Sequence, residues 1–142
     1  MKSKGWLFIG FLVLALVLAQ ATRTPSAEGA SVYFINLTDG DTVKSPVLVR
    51  FGLKGMGIAP AGVQFENTGH FHLLIDLDAT TLDMNTPLPS TDNLKHFGKG
   101  QTETYLELAP GEHSLQLLLA DFAHIPHEPV LLSEKISITV TE

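Results

Sequence analysis

Residues 68–78 read Thr68-Gly-His-Phe-His-Leu-Leu-Ile-Asp-Leu-Asp78, and their spacing decides the fold. Phe71, Leu73, Ile75 and Leu77 recur with period two, the repeat of a strand that lays one face on a core. The opposite face carries His70, His72, Leu74, Asp76 and Asp78. A strand over 70–77 therefore opens with two imidazoles on one side.

The same period recurs along the chain, broken by turn signals, and no long segment shows a helical repeat. The runs fall at 31–37, 47–54, 70–77, 102–108, 114–121 and 132–140. Val47, Val49, Phe51 and Leu53 alternate with polar positions in the second; Leu115, Leu117 and Leu119 in the fifth; Ile136, Ile138 and Val140 in the last. Asp39-Gly40 and Ala109-Pro110-Gly111 supply turns. Residues 79–100 are irregular, with Pro87, Pro89 and a Gly98-Lys99-Gly100 hinge. Six to seven short strands with turns at this spacing predict an all-β, immunoglobulin-like β-sandwich over 31–142.

The N-terminus points to export. Lys2 and Lys4 precede an apolar run from Trp6 to Ala19, and Ala19-Gln20-Ala21 has the small-x-small form of a cleavage site. The apolar run is shorter than the roughly 20 residues of a membrane span. Residues 1–21 are read as a secretory signal and 22–30 as a linker, with an uncleaved anchor as the alternative. A periplasmic or secreted location follows, with no membrane span after cleavage.

Losing 21 of the 142 residues would leave 121, enough for one domain with a real core. Of nine Lys and Arg, the two in the signal would go, leaving seven against fifteen Asp and Glu. An acidic chain without a basic patch is a poor match for phosphate backbones, so no nucleic-acid partner is expected. The chain has no cysteine, which excludes disulfides and thiolate ligands. A bound metal would rest on imidazole, carboxylate or thioether.

Topology then gathers the histidines. In a sandwich of this type the loop before 70–77 and the loop after 114–121 share one end, and these two strands are antiparallel neighbours. That end receives His70 and His72 from the strand and His124 and His127 from the loop FAHIPHEP. His96 joins them if 79–95 returns up the domain. His113 belongs at the opposite end, as a surface residue. Two imidazoles two residues apart on a strand stand roughly 7 Å apart at Cβ and can converge on one ion. Asp121 could ligate or orient an imidazole. Met56 is a candidate soft ligand for reduced copper, and Glu66 a weaker one. The plainer alternatives are a solvated H-x-H pair, a packed methionine and a solvated acidic strand face.

The stretches VRFGLKGMGIAPAG, NTGHFHLLIDLD, HFGKGQTETYLELAPGEHSLQLLLAD and HIPHEPVLLSEKISITV resemble the bacterial domain-of-unknown-function 4399 family, over roughly 32–140. Members usually carry a GHHH-type cluster where this chain has Gly69-His70-Phe71-His72, so Phe71 replaces the middle histidine. The resemblance implies an exported domain with a histidine-rich motif set. It implies no particular ion, substrate or catalytic residue.

Three functions fit this reading. The first is an exported metal-binding module holding copper or zinc through His70, His72 and one or both of His124 and His127, with His96 auxiliary, for carriage or buffering. The second is an envelope adhesion or scaffold module without metal. In it, outward-facing Leu74 and Leu118 await a protein partner and the histidines form a pH-sensitive surface. The third is a small metal-dependent enzyme, although no HExxH motif or nucleophile elbow is present.

Overall fold

The computed structural model describes residues 23–142. The signal read at 1–21 lies outside the described residues. Among the described residues nine strands form: β1 (Ser31–Phe34), β2 (Thr42–Lys44), β3 (Val47–Lys54), β4 (Gly57–Ile58), β5 (Thr68–Ile75), β6 (Leu94–His96), β7 (Glu103–Leu106), β8 (Gly111–Ala120) and β9 (Ile136–Thr141). The small sheet has the order β1-β3-β7, and the large one runs β2-β9-β8-β5-β4. β6 pairs with β5 along the edge that β8 leaves free.

The two sheets close on one apolar core, as a β-sandwich of the expected immunoglobulin-like kind. Val47, Val49 and Phe51 of β3 meet Phe71 and Leu73 of β5, Leu115, Leu117 and Leu119 of β8, and Ile138 and Val140 of β9. These are the period-two positions of the sequence. Each such side chain gains about 1.5–3 kcal/mol from burial. Phe51 sits at the centre, its ring 5.1 Å from that of Phe71 and 4.8 Å from that of Phe97.

The short strands were not expected. The chain leaves the small sheet after β1 and pairs β2 in parallel with β9, through Thr42–Thr139 and Val43–Val140. β6 arises inside the irregular 79–100 stretch. The run expected at 132–140 becomes regular only at Ile136, and that at 70–77 is shifted, beginning at Thr68 and ending at Ile75. Asp76 stops β5 by taking positive φ (52°), a conformation Asp tolerates better than a β-branched residue.

One expectation is corrected by the packing. Leu74 and Leu118 do lie on the face of the large sheet turned away from the main core, but they are not open to a partner. They are 1% and 0% exposed, packed with Ala120 against Ala79, Leu88 and Leu94. The irregular stretch after β5 folds back over its own sheet as a second apolar layer. A sheet covered on both sides explains why β5 is buried from Gly69 to Ile75 without interruption.

Residues 23–29, read as part of the linker, run beside 126–129. Pro25 bridges to Glu128 in parallel, Ser26 N–H donates to the Glu128 carbonyl at 3.0 Å, and Arg23 reaches Glu128 and the His127 carbonyl.

Candidate metal centre

β5 delivers the first two imidazoles. His70 and His72 point away from the main core, as the alternation requires, and both are fully buried. They stand opposite Ala120 and Leu118 of β8, and His72 pairs across the other edge with His96 of β6. The small Ala120 leaves room for the His70 ring. The β5–β6 pairing brings in a histidine that the sequence placed only provisionally.

His124 completes the group from the loop after β8. Asp121 fixes that loop. Its Oδ1 accepts from the backbone N–H groups of Ala123 (2.9 Å) and Ile125 (3.0 Å), and its Oδ2 accepts from the Thr24 hydroxyl (2.6 Å). Its own N–H donates to the Ile125 carbonyl, and its carbonyl accepts from His124 N–H, both at 2.9 Å. His124 is thereby held at φ 66°, a left-handed conformation uncommon outside glycine, though histidine enters it more readily than most residues. Its carbonyl accepts from Leu88 N–H at 2.9 Å, tying the loop to the second apolar layer.

Three imidazoles therefore converge through their nitrogens, and a fourth ring, that of His72, packs beside them. One ring nitrogen from each of His70, His96 and His124 lies within 4.8 Å of the others, and His70 Nε2 is 3.2 Å from His96 Nε2. Ligands bound to one ion at 2.0–2.1 Å in a tetrahedron stand roughly 3.3–3.4 Å apart, so the His70–His96 spacing is already that of a coordination edge. The His72 ring lies 4.9 Å from that of His70 and 5.1 Å from that of His96.

Burial holds the inner pair neutral. The His70 pKa falls to about 4 and that of His72 to about 3, chiefly by desolvation and then by the neighbouring imidazoles. His96 is lowered too, first by burial and then by its neighbour His124. Neutral imidazole is the ligating form. Apart from the His70 Nε2–His96 Nε2 contact, the inner rings lack hydrogen-bond partners. Among the described residues, the buried side-chain nitrogen and oxygen atoms without a partner are His70 Nδ1, both nitrogens of His72 and His127 Nδ1. Buried polar groups are rarely orphaned, and each unsatisfied one costs about 1–3 kcal/mol.

The other candidates lie elsewhere. His127 is buried beside the cluster, but its Nε2 donates to the Thr68 carbonyl at 3.2 Å. A Cβ at Gly69 would stand 2.9 Å from His127 Cε1 and 2.6 Å from the Ala120 carbonyl oxygen, so glycine is what admits this close packing. Asp121 makes no hydrogen bond to an imidazole and acts by shaping the loop. Met56 packs against the main core, and Glu66 is exposed. His113 is remote from the cluster and more enclosed than expected. Its Nδ1 and Nε2 donate to Asp76 Oδ2 (2.7 Å) and the Ala109 carbonyl (2.8 Å). Two acceptors on one ring favour imidazolium and raise its pKa, the Asp76 bond most. A groove of about 960 Å³ opens beside His96, bordered by Thr91, Asp92, Lys95, Thr104 and Tyr105.

The family model described as "Domain of unknown function (DUF4399)" matches residues 49–141. The chain belongs to this family. Its matched span takes in β5, β6, β8 and the loop carrying His124, and so every imidazole of the cluster. Comparison with the curated proteins and with the solved structures gave no match.

Proposed function

We propose that this chain is an exported metal-binding protein that carries or buffers a divalent transition-metal ion, Cu(II) or Zn(II). The observation that carries the reading is the convergence of ring nitrogens of His70, His96 and His124 beside the fully buried His72, with His70 Nδ1 and both His72 nitrogens lacking a protein partner. An ion would take one nitrogen from each ring, and a thiol-free, imidazole-rich set suits Cu(II) and Zn(II). Export rests on Lys2, Lys4, the Trp6–Ala19 run and Ala19-Gln20-Ala21. An N-terminus at Thr22 in protein recovered from the periplasm would support it.

The test is calorimetric titration of chelator-treated protein with Zn(II) and Cu(II), with electron paramagnetic resonance on the copper complex. One ion per chain is expected, with nitrogen hyperfine structure from the imidazoles. Binding no tighter than that of a His70→Ala/His72→Ala double variant would end the proposal.

The groove beside His96 favours a second reading, a metal-dependent enzyme that brings a substrate to an open coordination position. That reading needs a vacant ligand site on the ion.

A further inference from the structure

We infer that the ion is held by four imidazoles, with His72 closing a tetrahedron whose other vertices are His70, His96 and His124. This rests on the metal-binding reading and specifies its coordination.

The ring positions carry it. Four imidazoles each bound through one nitrogen at 2.0–2.1 Å have their centres roughly 3.2 Å from the ion, and so roughly 5.2 Å from one another in a tetrahedron. Five of the six separations are 4.9 Å (His70–His72), 5.0 Å (His70–His96), 5.0 Å (His70–His124), 5.1 Å (His72–His96) and 4.7 Å (His96–His124). The sixth, His72–His124, is 6.3 Å. A square-planar set would instead show two long diagonals of roughly 6.4 Å at the same bond length. Opposite the long edge, however, lies His70–His96, and it is short. The nitrogens of His70, His96 and His124 already converge, so closing the long edge requires the His72 and His124 rings to turn toward each other.

His72 supplies a second, independent observation. It is completely buried, and both its nitrogens lack partners. A packing role needs no imidazole here, where Leu74 and Leu118 fill adjoining positions of the same face.

Four protein ligands leave no open position. Zn(II), which has no geometric preference of its own, enters such a site undistorted, whereas Cu(II) is drawn away from its tetragonal geometry. A closed site retains an ion and does not activate water.

Co(II) reports the geometry directly. Chelator-treated wild-type protein is loaded with Co(II) and titrated with azide. The account expects the intense visible bands of four-coordinate Co(II), unchanged by azide. His72→Ala should bind Co(II) and Zn(II) more weakly by more than the roughly 10–100-fold that a lost outer contact costs, and its spectrum should respond to azide. A weak five- or six-coordinate spectrum in the wild type, an azide shift there, or wild-type affinity in His72→Ala would overturn the four-imidazole site and leave the metal-binding reading standing. Failure of the wild type to bind either ion would remove both. If His72→Ala does not fold, the wild-type azide titration decides.

Discussion

Replacing His72 with leucine should stabilise the metal-free protein while removing much of its response to metal. Burial among three other imidazoles takes the His72 pKa to about 3, so the ring is neutral at pH 7. Its two nitrogens have no hydrogen-bond partner. Each costs about 1–3 kcal/mol, and leucine would remove both. The different shape of leucine returns up to about 1.5 kcal/mol of that gain. The expected net effect is about 2 kcal/mol in favour of the variant, or about 6–10 °C in Tm for a domain of this size. Zn(II) at one hundred times the wild-type Kd should add about 2.7 kcal/mol to the wild type and much less to the variant. The assay is thermal and urea unfolding of both proteins, in chelator and in Zn(II). The ordering should be variant above wild type in chelator, with the gap closed or reversed by zinc. A variant less stable than the wild type by more than about 1 kcal/mol in chelator would refute the reasoning, because His72 would then be a satisfied packing residue.

Four further outcomes are expected. The folded-state pKa values of His70 and His72 lie below the ordinary 6.5, so between pH 6.5 and about 4 the unfolded chain binds more protons than the native one. Metal-free stability should therefore be intact above pH 6.5 and fall with acidification, by up to about 1.4 kcal/mol per pH unit for each imidazole, as urea unfolding at pH 7 and pH 5 would show. His113 has the opposite sign. Its raised pKa gives stability that is present below pH 6.5 and fades as pH rises through the folded value, so Asp76→Asn should lose more stability at pH 5.5 than at pH 8.5. Asp121→Ala removes three hydrogen bonds from the loop that presents His124, and Zn(II) affinity by calorimetry should drop about 10–100-fold while the sheet circular dichroism is retained. Gly69→Ala would drive a Cβ to 2.6 Å from the Ala120 carbonyl oxygen, and denaturant unfolding should show a loss of about 1–3 kcal/mol.

The sandwich was legible because its core strands are long and regular. β3, β5, β8 and β9 each place alternate aliphatic or aromatic residues on the main core, and the period shows in the sequence without help from neighbours. β2, β4 and β6 are three, two and three residues long, too short for any period to register. Leu94-Lys95-His96 becomes a strand because β5 offers a free edge, which is a fact of tertiary structure. For the same reason His96 looked auxiliary. The second apolar layer was hidden in a proline-containing stretch, yet Leu74 and Leu118 on the supposed outer face were its signal. Apolar residues on both faces of a strand mean that both faces are covered. The topological argument that brought His70, His72 and His124 to one end needed only the hairpin logic of neighbouring strands. It could not separate His124 from His127, because their distinction lies in the turn that Asp121 builds and in the packing of His127 beside Gly69.

Anomalous diffraction at the zinc edge from crystals of the zinc-loaded protein tests the central claim most directly. The account predicts one peak, about 2.0–2.1 Å from a nitrogen of each of His70, His72, His96 and His124. No peak among these rings, or zinc found only on surface carboxylates or at His113, would contradict it.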